Sequence, residues 1–335
     1  MQNNSSIAVL GAGSWGTALA ILLARKGHRT ALWGRDPRLI STLAQARCNT
    51  RYLPDVPFPD TLQVSSDLPQ CLAQANNYLI AVPSHAFQVT LQHMRPYLDE
   101  TKHIAWATKG LEPHSGKLLH QVAAETVGDA RPPAVISGPT FAREVVRGSP
   151  TAVTVASESP ELAQHWATLL HNDNFRVYTC TDVIGVEVGG AVKNVLAIAA
   201  GIADGLGLGA NTRAALISRG LAEMMRLGVA LGGKRETFVG LAGLGDLVLT
   251  CTDDLSRNRR LGLALARGES LETALTNIGQ VVEGAQTVRQ VVQLAETLGM
   301  DMPISQQVYQ VLYGQSTPRA AVQALLNRDQ KAEFF

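Results

Sequence analysis

Lys193 is the residue with the clearest potential for proton transfer. It interrupts the otherwise apolar segment 189–197, GGAVKNVLA. A buried ammonium without a partner is unfavourable, so this side chain must find a counter-charge or lose its proton. Burial can lower the pKa of a lysine from its usual value of about 10.4. A lysine with a lowered pKa can act as a general base. A lysine paired for structural reasons, or one whose stem carries the ammonium to solvent, remains an alternative.

A second group of polar residues could bind a small anionic molecule. Ser256, Arg257 and Asn258 combine a hydroxyl, a guanidinium and an amide, which are the donors that a phosphate group requires. Asp246 is a lone carboxylate in the glycine-rich turn 243–246. A solvated basic loop is the alternative interpretation of the Ser-Arg-Asn segment.

Two further segments follow runs that are typical of strands. Lys109 comes after the apolar run 103–107, and Thr140 comes shortly after 134–137. Ligands of open α/β sheets bind at the carboxyl ends of the strands. We therefore predict that Lys109 faces a ligand crevice, and that the Thr140 hydroxyl and nearby N–H groups bind a polar ligand. A surface lysine and an ordinary helix cap are the alternatives.

The beginning of the chain predicts a dinucleotide-binding turn. An apolar run at 7–10 leads into Gly11, Gly13 and Gly16, and a helix-like run follows. The first glycine allows a sharp turn, the second leaves room for a pyrophosphate, and the third lets helix and strand pack closely. The position between a strand-like and a helix-like run makes the motif specific, whereas a purely structural turn is the alternative.

The residues after the second predicted strand indicate which dinucleotide binds. NAD sites usually carry Asp or Glu at the end of this strand, but here Gly34 occupies the position and Arg35 follows. A guanidinium can hold a phosphate through two parallel hydrogen bonds, so we predict that NADP(H) is preferred and NAD(H) remains usable. Asp36 could serve a ribose hydroxyl, although its place before Pro37 favours a helix cap.

The elements that must position these residues change in kind along the chain. Strand-like and helix-like runs first alternate, which predicts a mostly parallel sheet with helices on both faces. Strands are predicted at 7–10, 29–33, 62–65, 78–82, 103–107, 134–137, 151–156 and 175–179. Helices are predicted between them at 15–26, 37–46, 85–95, 115–126 and 160–171.

After Asp182 long helical segments rich in Ala and Leu dominate, at 183–203, 212–230, 260–267, 285–298 and 304–313. The glycine cluster 205–209 follows a helix and is predicted to be a loop. We therefore predict an α/β protein, with an N-terminal Rossmann-like doubly wound sheet at 1–185 and an all-helical C-terminal domain at 186–335.

Composition is typical of a soluble globular protein. Of 335 residues, 46% are hydrophobic and 17% charged, and the net charge of +1 includes no basic block, so nucleic acid is not expected as a partner. The four cysteines lie far apart, which disfavours a metal site or disulfides and fits the cytoplasm. The N-terminus lacks the features of a signal peptide. The apolar stretch 183–216 is interrupted by charges, so no membrane span is predicted.

Together these segments resemble the bacterial NAD(P)-dependent glycerol-3-phosphate dehydrogenases. The similarity runs essentially from end to end and is carried by seven ordered segments, at 11–18, 107–110, 137–139, 190–194, 243–247, 256–258 and 281–284. The resemblance implies reversible reduction of dihydroxyacetone phosphate to sn-glycerol 3-phosphate, which supplies glycerophospholipid synthesis.

The resemblance also implies roles for individual residues. Lys193 would take the C2 hydroxyl proton while a hydride passes from C2 to the nicotinamide, and would return a proton in the reduction. The positions that match substrate-binding residues are Lys109, Gly138, Thr140, Lys193, Asp246, Ser256, Arg257 and Asn258. Those that match cofactor-binding residues, beside the three glycines, are Ser14, Trp15, Arg35, Tyr52, Lys109, Ala142, Arg257, Val281 and Glu283. Thr140 stands where many members of that family carry serine, and the residue at position 35 varies across the family.

A β-hydroxyacid-type dehydrogenase is the alternative enzyme class, because such proteins also join a Rossmann domain to helices with a catalytic lysine. The segment 256–258 is not expected in that class. A nucleotide sensor without activity is expected to have lost Lys193 or Asp246, and both are present. We expect a small-molecule substrate, and the sequence leaves open a homodimer formed through the helical domain.

Overall fold

Short apolar runs form the strands of the N-terminal half. The structure is a computed structural model and describes residues 5–128, 132–314, 316–330 and 332–333. Ile7 to Leu10 are all buried, as expected for a strand covered on both faces. The strands are β1 (Ser6–Leu10), β2 (Arg29–Trp33), β3 (Cys48–Asn49), β4 (Leu53–Pro57), β5 (Leu62–Ser65), β6 (Asn77–Ile80), β7 (His103–Trp106), β8 (Ala134–Ser137), β9 (Thr151–Ala156) and β10 (Phe175–Cys180).

Eight of these strands form one sheet in the order β10-β9-β8-β7-β6-β1-β2-β5. All neighbours are parallel except β8 and β9, which are antiparallel. The order from β5 to β8 is that of a Rossmann fold, and it reverses between β1 and β6. The carboxyl ends of these two strands therefore open a crevice in which ligands bind. Strands β3 and β4 form a separate antiparallel pair.

Helices cover the sheet and make up nearly all of the regular structure after β10. They are α1 (Ser14–Arg25), α2 (Pro37–Ala46), α3 (Leu68–Ala73), α4 (Ser84–Met94), α5 (Leu119–Val127), α6 (Ala142–Arg147), α7 (Pro160–Leu170), α8 (Val183–Gly205), α9 (Gly209–Ala230), α10 (Arg235–Phe238), α11 (Asp246–Thr252), α12 (Arg257–Ala266), α13 (Leu271–Ile278), α14 (Glu283–Thr297), α15 (Pro303–Leu312) and α16 (Pro318–Leu326). A 3₁₀ turn at Arg95–Tyr97 and a π turn at Leu241–Gly245 complete the set.

The predicted α/β fold is confirmed, and all eight predicted strands are present with ends shifted by two residues at most. The loop at the glycine cluster is also confirmed, since α8 ends at Gly205 and α9 begins at Gly209. The helix predicted at 115–126 begins later, because the Glu112 carboxylate accepts the N–H groups of His114 and Ser115 and holds a turn there. The pair β3–β4 and the helices α3, α6, α10, α11, α13 and α16 were not predicted.

Helix α8 is the centre of the helical half. Asp182 caps it by accepting the N–H of Gly185 at 2.9 Å. Within the described residues α8 is the one helix long and apolar enough to span a membrane, but 94% of its apolar window is buried inside the protein. Helix α12 approaches it closely, since a Cβ on Gly201 would lie 2.1 Å from the Arg259 carbonyl oxygen, and one on Gly262 would lie 2.2 Å from that of Ile198.

Candidate active site

The glycine turn after β1 has the geometry of a dinucleotide site. Gly11 has a φ of +122°, and a Cβ there would lie 2.7 Å from the carbonyl oxygen of Ala81. A Cβ on Gly16 would lie 1.9 Å from the carbonyl oxygen of Gly11. At Gly13, by contrast, a Cβ would meet no heavy atom within 4 Å. The first turn of α1, which starts at Ser14, carries no acidic residue. Its N–H groups and the open space beside Gly13 fit a pyrophosphate.

At the end of β2, Gly34 packs closely against Ile40 and Ala12. A Cβ on Gly34 would lie 2.7 Å from Cδ1 of Ile40 and 3.0 Å from Cβ of Ala12, so a larger side chain there would require the Ile40 side chain to shift. The Asp36 carboxylate accepts the N–H of Arg38 at 2.9 Å, which confirms its predicted role as the cap of α2. The Arg35 side chain is exposed at this edge.

The centre of the crevice holds a carboxylate between two lysines. Lys193 Nζ lies 2.6 Å from Asp246 Oδ1, and Lys109 Nζ lies 2.6 Å from Asp246 Oδ2. Lys193 also donates to Thr250 Oγ1 at 2.8 Å. The side chains of Lys193 and Asp246 are 8% and 1% exposed, whereas that of Lys109 is 16% exposed. Lys193 is therefore buried and paired, and its ammonium does not reach bulk solvent.

Burial sets the protonation of this cluster. It lowers the pKa of Lys193 to about 8, against the opposing effect of the Asp246 carboxylate, and the nearby Lys109 ammonium lowers it further. Burial by itself would raise the pKa of Asp246, but the two ammonium groups outweigh it and that pKa is lowered. Asp246 is thus an anion near neutral pH, while Lys193 can both donate and accept a proton there.

Glycines bring Asp246 to Lys193. Leu241–Gly245 forms a π turn just before α11. A Cβ on Gly243 would lie 2.1 Å from the carbonyl oxygen of Phe238, and one on Gly189 of α8 would lie 2.6 Å from that of Ala242. Glycine at position 189 lets the turn press against α8, and glycine at position 243 lets the turn approach Phe238 of α10. Thr250 follows Asp246 by four residues in α11 and so shares its helix face.

The other wall of the site comes from the start of α12. Ser256 caps this helix, because its Oγ accepts the N–H of Arg259 at 3.2 Å. Asn258 donates from Nδ2 to Asn194 Oδ1 at 2.8 Å and accepts the N–H of Gly284 at 2.9 Å. Lys193 and Asn194 are adjacent on α8, so this hydrogen bond places the start of α12 next to the lysine cluster.

Arg257 and Glu283 interact electrostatically in the same region. Burial lowers the pKa of Arg257, opposed by the Glu283 carboxylate, and burial raises the pKa of Glu283. Ser84, at the start of α4, donates to Glu283 Oε2 at 2.9 Å. This contact joins the segment after β6 to α14 of the helical half.

Most of the remaining predicted residues lie on the sheet side. Thr140 Oγ1 and Lys109 Nζ both donate to the Gly138 carbonyl oxygen, at 3.1 and 3.2 Å. Trp15, Tyr52 and Ala142 are among the half-buried side chains that pack against the N-terminal core. The half-buried Val281 precedes α14. No group of three or more His, Cys, Asp or Glu suited to a metal ion occurs in the part of the chain that the structure describes.

Two family models match this chain in succession. Residues 6–163 match the NAD-dependent glycerol-3-phosphate dehydrogenase N-terminus, and residues 182–323 match its C-terminus. The chain belongs to the NAD-dependent glycerol-3-phosphate dehydrogenase family. It is 62% identical to glycerol-3-phosphate dehydrogenase [NAD(P)+] of Thioalkalivibrio sulfidiphilus and 58% identical to that of Pseudoalteromonas translucida, in each case over 98% of both chains.

A solved structure shows the same similarity. The crystal structure of glycerol-3-phosphate dehydrogenase from Coxiella burnetii has a TM-score of 0.93 and 50% sequence identity, over 96% of this chain and 98% of that one. The family assignment confirms the resemblance seen in the sequence. The alternative of a β-hydroxyacid-type dehydrogenase is not favoured, since both halves match the glycerol-3-phosphate dehydrogenases.

The structure gathers most of the predicted residues around one crevice but adds partners that the sequence did not indicate. Thr250 was missed, although its spacing of four residues from Asp246 could have revealed it. Ser84 was not predicted either, and its contact with Glu283 spans 199 positions of sequence. Ser256 and Asn258 both have hydrogen-bond partners inside the protein, and Arg257 is the charged residue of the three.

Proposed function

We propose that this protein catalyses the reversible NAD(P)H-dependent reduction of dihydroxyacetone phosphate to sn-glycerol 3-phosphate. The main observation in support of this proposal is that Lys193 is buried and held between Asp246 and Thr250, beside the carboxyl edge of a Rossmann sheet. Eight relatives at 54–62% identity are named glycerol-3-phosphate dehydrogenase [NAD(P)+].

The lysine cluster performs the proton transfer in this proposal. A bound nicotinamide supplies or accepts the hydride at C2. Lys193 donates a proton to the C2 oxygen during reduction and accepts it during oxidation. Lys109 adds a second positive charge, which stabilises negative charge that develops on that oxygen. Asp246 orients both ammonium groups through its two oxygens.

Phosphate binding is assigned to the start of α12 and to the turn after β8. Arg257 supplies the guanidinium, and the hydroxyl of Ser256 and the amide of Asn258 lie on either side of it in sequence. Gly138 and Thr140 would complete the substrate site. The cofactor would contact Gly11, Gly13, Ser14, Trp15, Gly16, Arg35, Tyr52, Lys109, Ala142, Arg257, Val281 and Glu283.

The direct test measures loss of reduced-nicotinamide absorbance with dihydroxyacetone phosphate. Consumption of both NADPH and NADH, with the higher kcat/KM for NADPH, supports the proposal. A folded sample that binds NADPH but oxidises neither cofactor contradicts it. β-Hydroxyacids with oxidised cofactor form the comparison arm, and turnover there alone would favour the other enzyme class.

The pH dependence should have opposite signs in the two directions. Lys193 has a pKa of about 8, and it must be neutral to accept a proton and charged to donate one. We therefore expect kcat/KM for glycerol 3-phosphate oxidation to rise as the pH increases through about 8, and kcat/KM for reduction to fall over the same interval. Steady-state profiles in overlapping buffers check this. Profiles that change in the same direction would show that another group controls them.

Cofactor preference should depend on Arg35. Replacing it by alanine removes the exposed guanidinium at the end of β2, so we expect KM for NADPH to rise about tenfold and KM for NADH to change less than about twofold. Arg29→Ala is the matched control, because Arg29 is an exposed arginine at the opposite end of the same strand. Equal losses for both cofactors in Arg35→Ala would contradict recognition of the 2′-phosphate.

We also propose that the chain divides into a dinucleotide-binding domain at residues 1–185 and a helical substrate-binding domain at residues 186–335. The protein would form a homodimer through the helical domain and would lie in the cytoplasm. The proposed product, sn-glycerol 3-phosphate, is the backbone of glycerophospholipids, so this enzyme would supply phospholipid biosynthesis. The absence of a basic block supports the expectation that nucleic acid is not a partner.

A further inference from the structure

An ion network centred on the buried Arg259 and Asp204 side chains joins the helix that carries Arg257 to the end of the helix that carries Lys193. Arg259 Nη2 lies 2.8 Å from Asp204 Oδ2 at the end of α8, and its Nη1 contacts Asp254 Oδ1 just before α12. Asp204 Oδ1 lies 2.9 Å from Arg213 Nη1 of α9. The Arg259 side chain is 11% exposed and that of Asp204 is 9% exposed.

Stability alone is a weak explanation for this network. The desolvation of a buried ion pair offsets much of its attraction. Helices α8 and α12 are also already in close contact at Gly201 and Gly262. The planar guanidinium of Arg259 also imposes a fixed geometry, because its N–H groups point in set directions and contact two carboxylates that lie on different segments. It therefore fixes the orientation of the first turn of α12 relative to α8.

The position of Arg259 connects this orientation to the proposed site. Arg259 lies two residues after Arg257, and its backbone N–H donates a hydrogen bond to the Ser256 hydroxyl. The adjacent residue Asn258 donates a hydrogen bond to Asn194, the neighbour of Lys193. The first turn of α12 is thus attached to α8 at two places, one beside the lysine and one at the end of α8.

We propose that Asp204 and Arg259 are positioning residues for the phosphate group of the substrate, an inference that rests on the proposed function. They hold the phosphate-binding turn of α12 at a fixed distance from Lys193. Binding of the phosphate then places C2 beside the lysine, so that binding energy from the non-reacting end of the substrate contributes to the rate.

The test compares a substrate that has the phosphate with one that lacks it. Arg259→Lys keeps the charge but loses the planar fork. We expect its kcat/KM for dihydroxyacetone phosphate to fall about 10- to 100-fold, while kcat/KM for dihydroxyacetone, measured at high enzyme concentration, changes less than about twofold. The inhibition constant of inorganic phosphate should rise in parallel. Asp204→Asn removes the negative charge of the same ion pair and should show the same pattern. It provides the test if Arg259→Lys does not fold.

Arg213→Ala is the matched control. Arg213 shares Asp204 but lies on α9 and is 32% exposed, so its removal leaves the Asp204–Arg259 contact in place. We expect its kcat/KM for dihydroxyacetone phosphate to stay within about twofold of the wild type, with melting temperatures recorded for all variants. Equal losses on both substrates, or an unchanged Arg259→Lys enzyme, would overturn the inference. A wild-type protein inactive on dihydroxyacetone phosphate would instead contradict the proposed function.

Discussion

Replacing Lys193 by alanine is expected to lower kcat for dihydroxyacetone phosphate reduction by about 10²- to 10⁴-fold. In the proposed mechanism this side chain is the only group that exchanges a proton with the C2 oxygen. The Lys109 ammonium would still stabilise charge there but contacts the other oxygen of Asp246. Initial rates with saturating NADPH check the prediction.

The variant should remain folded and bind cofactor. Asp246 keeps its contact with Lys109 when Lys193 is removed, so no buried carboxylate is left without a counter-charge, which is the costly outcome for a buried pair. NADPH binding, followed by fluorescence, should be within about twofold of the wild type because the proposed pyrophosphate site lies on α1.

Lys117→Ala provides the control for this prediction. Its ammonium pairs with Glu125 at the surface and is 43% exposed, so turnover should be unchanged. Near-normal turnover in Lys193→Ala would reject the lysine as the proton-transfer group. Loss of both turnover and NADPH binding would indicate a damaged fold, which a melting temperature would reveal.

Local sequence was sufficient to predict the strands and the burial of Lys193. Most strands of the main sheet are short runs rich in apolar residues, and the lysine interrupts an apolar helix, so both signals lie within a few neighbouring residues. The partners of Lys193 were not predictable in this way. Its contact with Asp246 spans 53 positions and depends on how the glycine turn at 241–245 packs against α8.

The same distinction applies to the elements that were missed. Strand β3 has only two residues, too few for an alternating pattern, and β4 contains two prolines, which disfavour a strand. The antiparallel placement of β9 against β8 also leaves no local signal, because its apolar run resembles those of the parallel strands. Tertiary packing decides such elements, and the sequence alone does not display it.

Replacing Arg257 by alanine should produce the largest loss in substrate binding. The lost hydrogen bonds to a charged group are worth about 1.5–3 kcal/mol, which corresponds to a rise of roughly 10- to 150-fold in KM for dihydroxyacetone phosphate. Arg257 also interacts with Glu283, a predicted cofactor residue, so the dissociation constant of NADPH is measured in the same variant and should change less than the substrate KM.

Arg260→Ala separates a direct contact from a general effect of charge. Arg260 follows in the same basic segment and is exposed, so its removal changes the net charge equally without removing a group from the site. We expect KM to change less than about twofold in this control, because exposed charges are screened by salt. A phosphate-free substrate adds a second comparison, since Arg257→Ala should have little effect on dihydroxyacetone. If Arg257→Ala and Arg260→Ala raised the substrate KM equally, the arginine would act through long-range electrostatics and the phosphate would have to be held elsewhere.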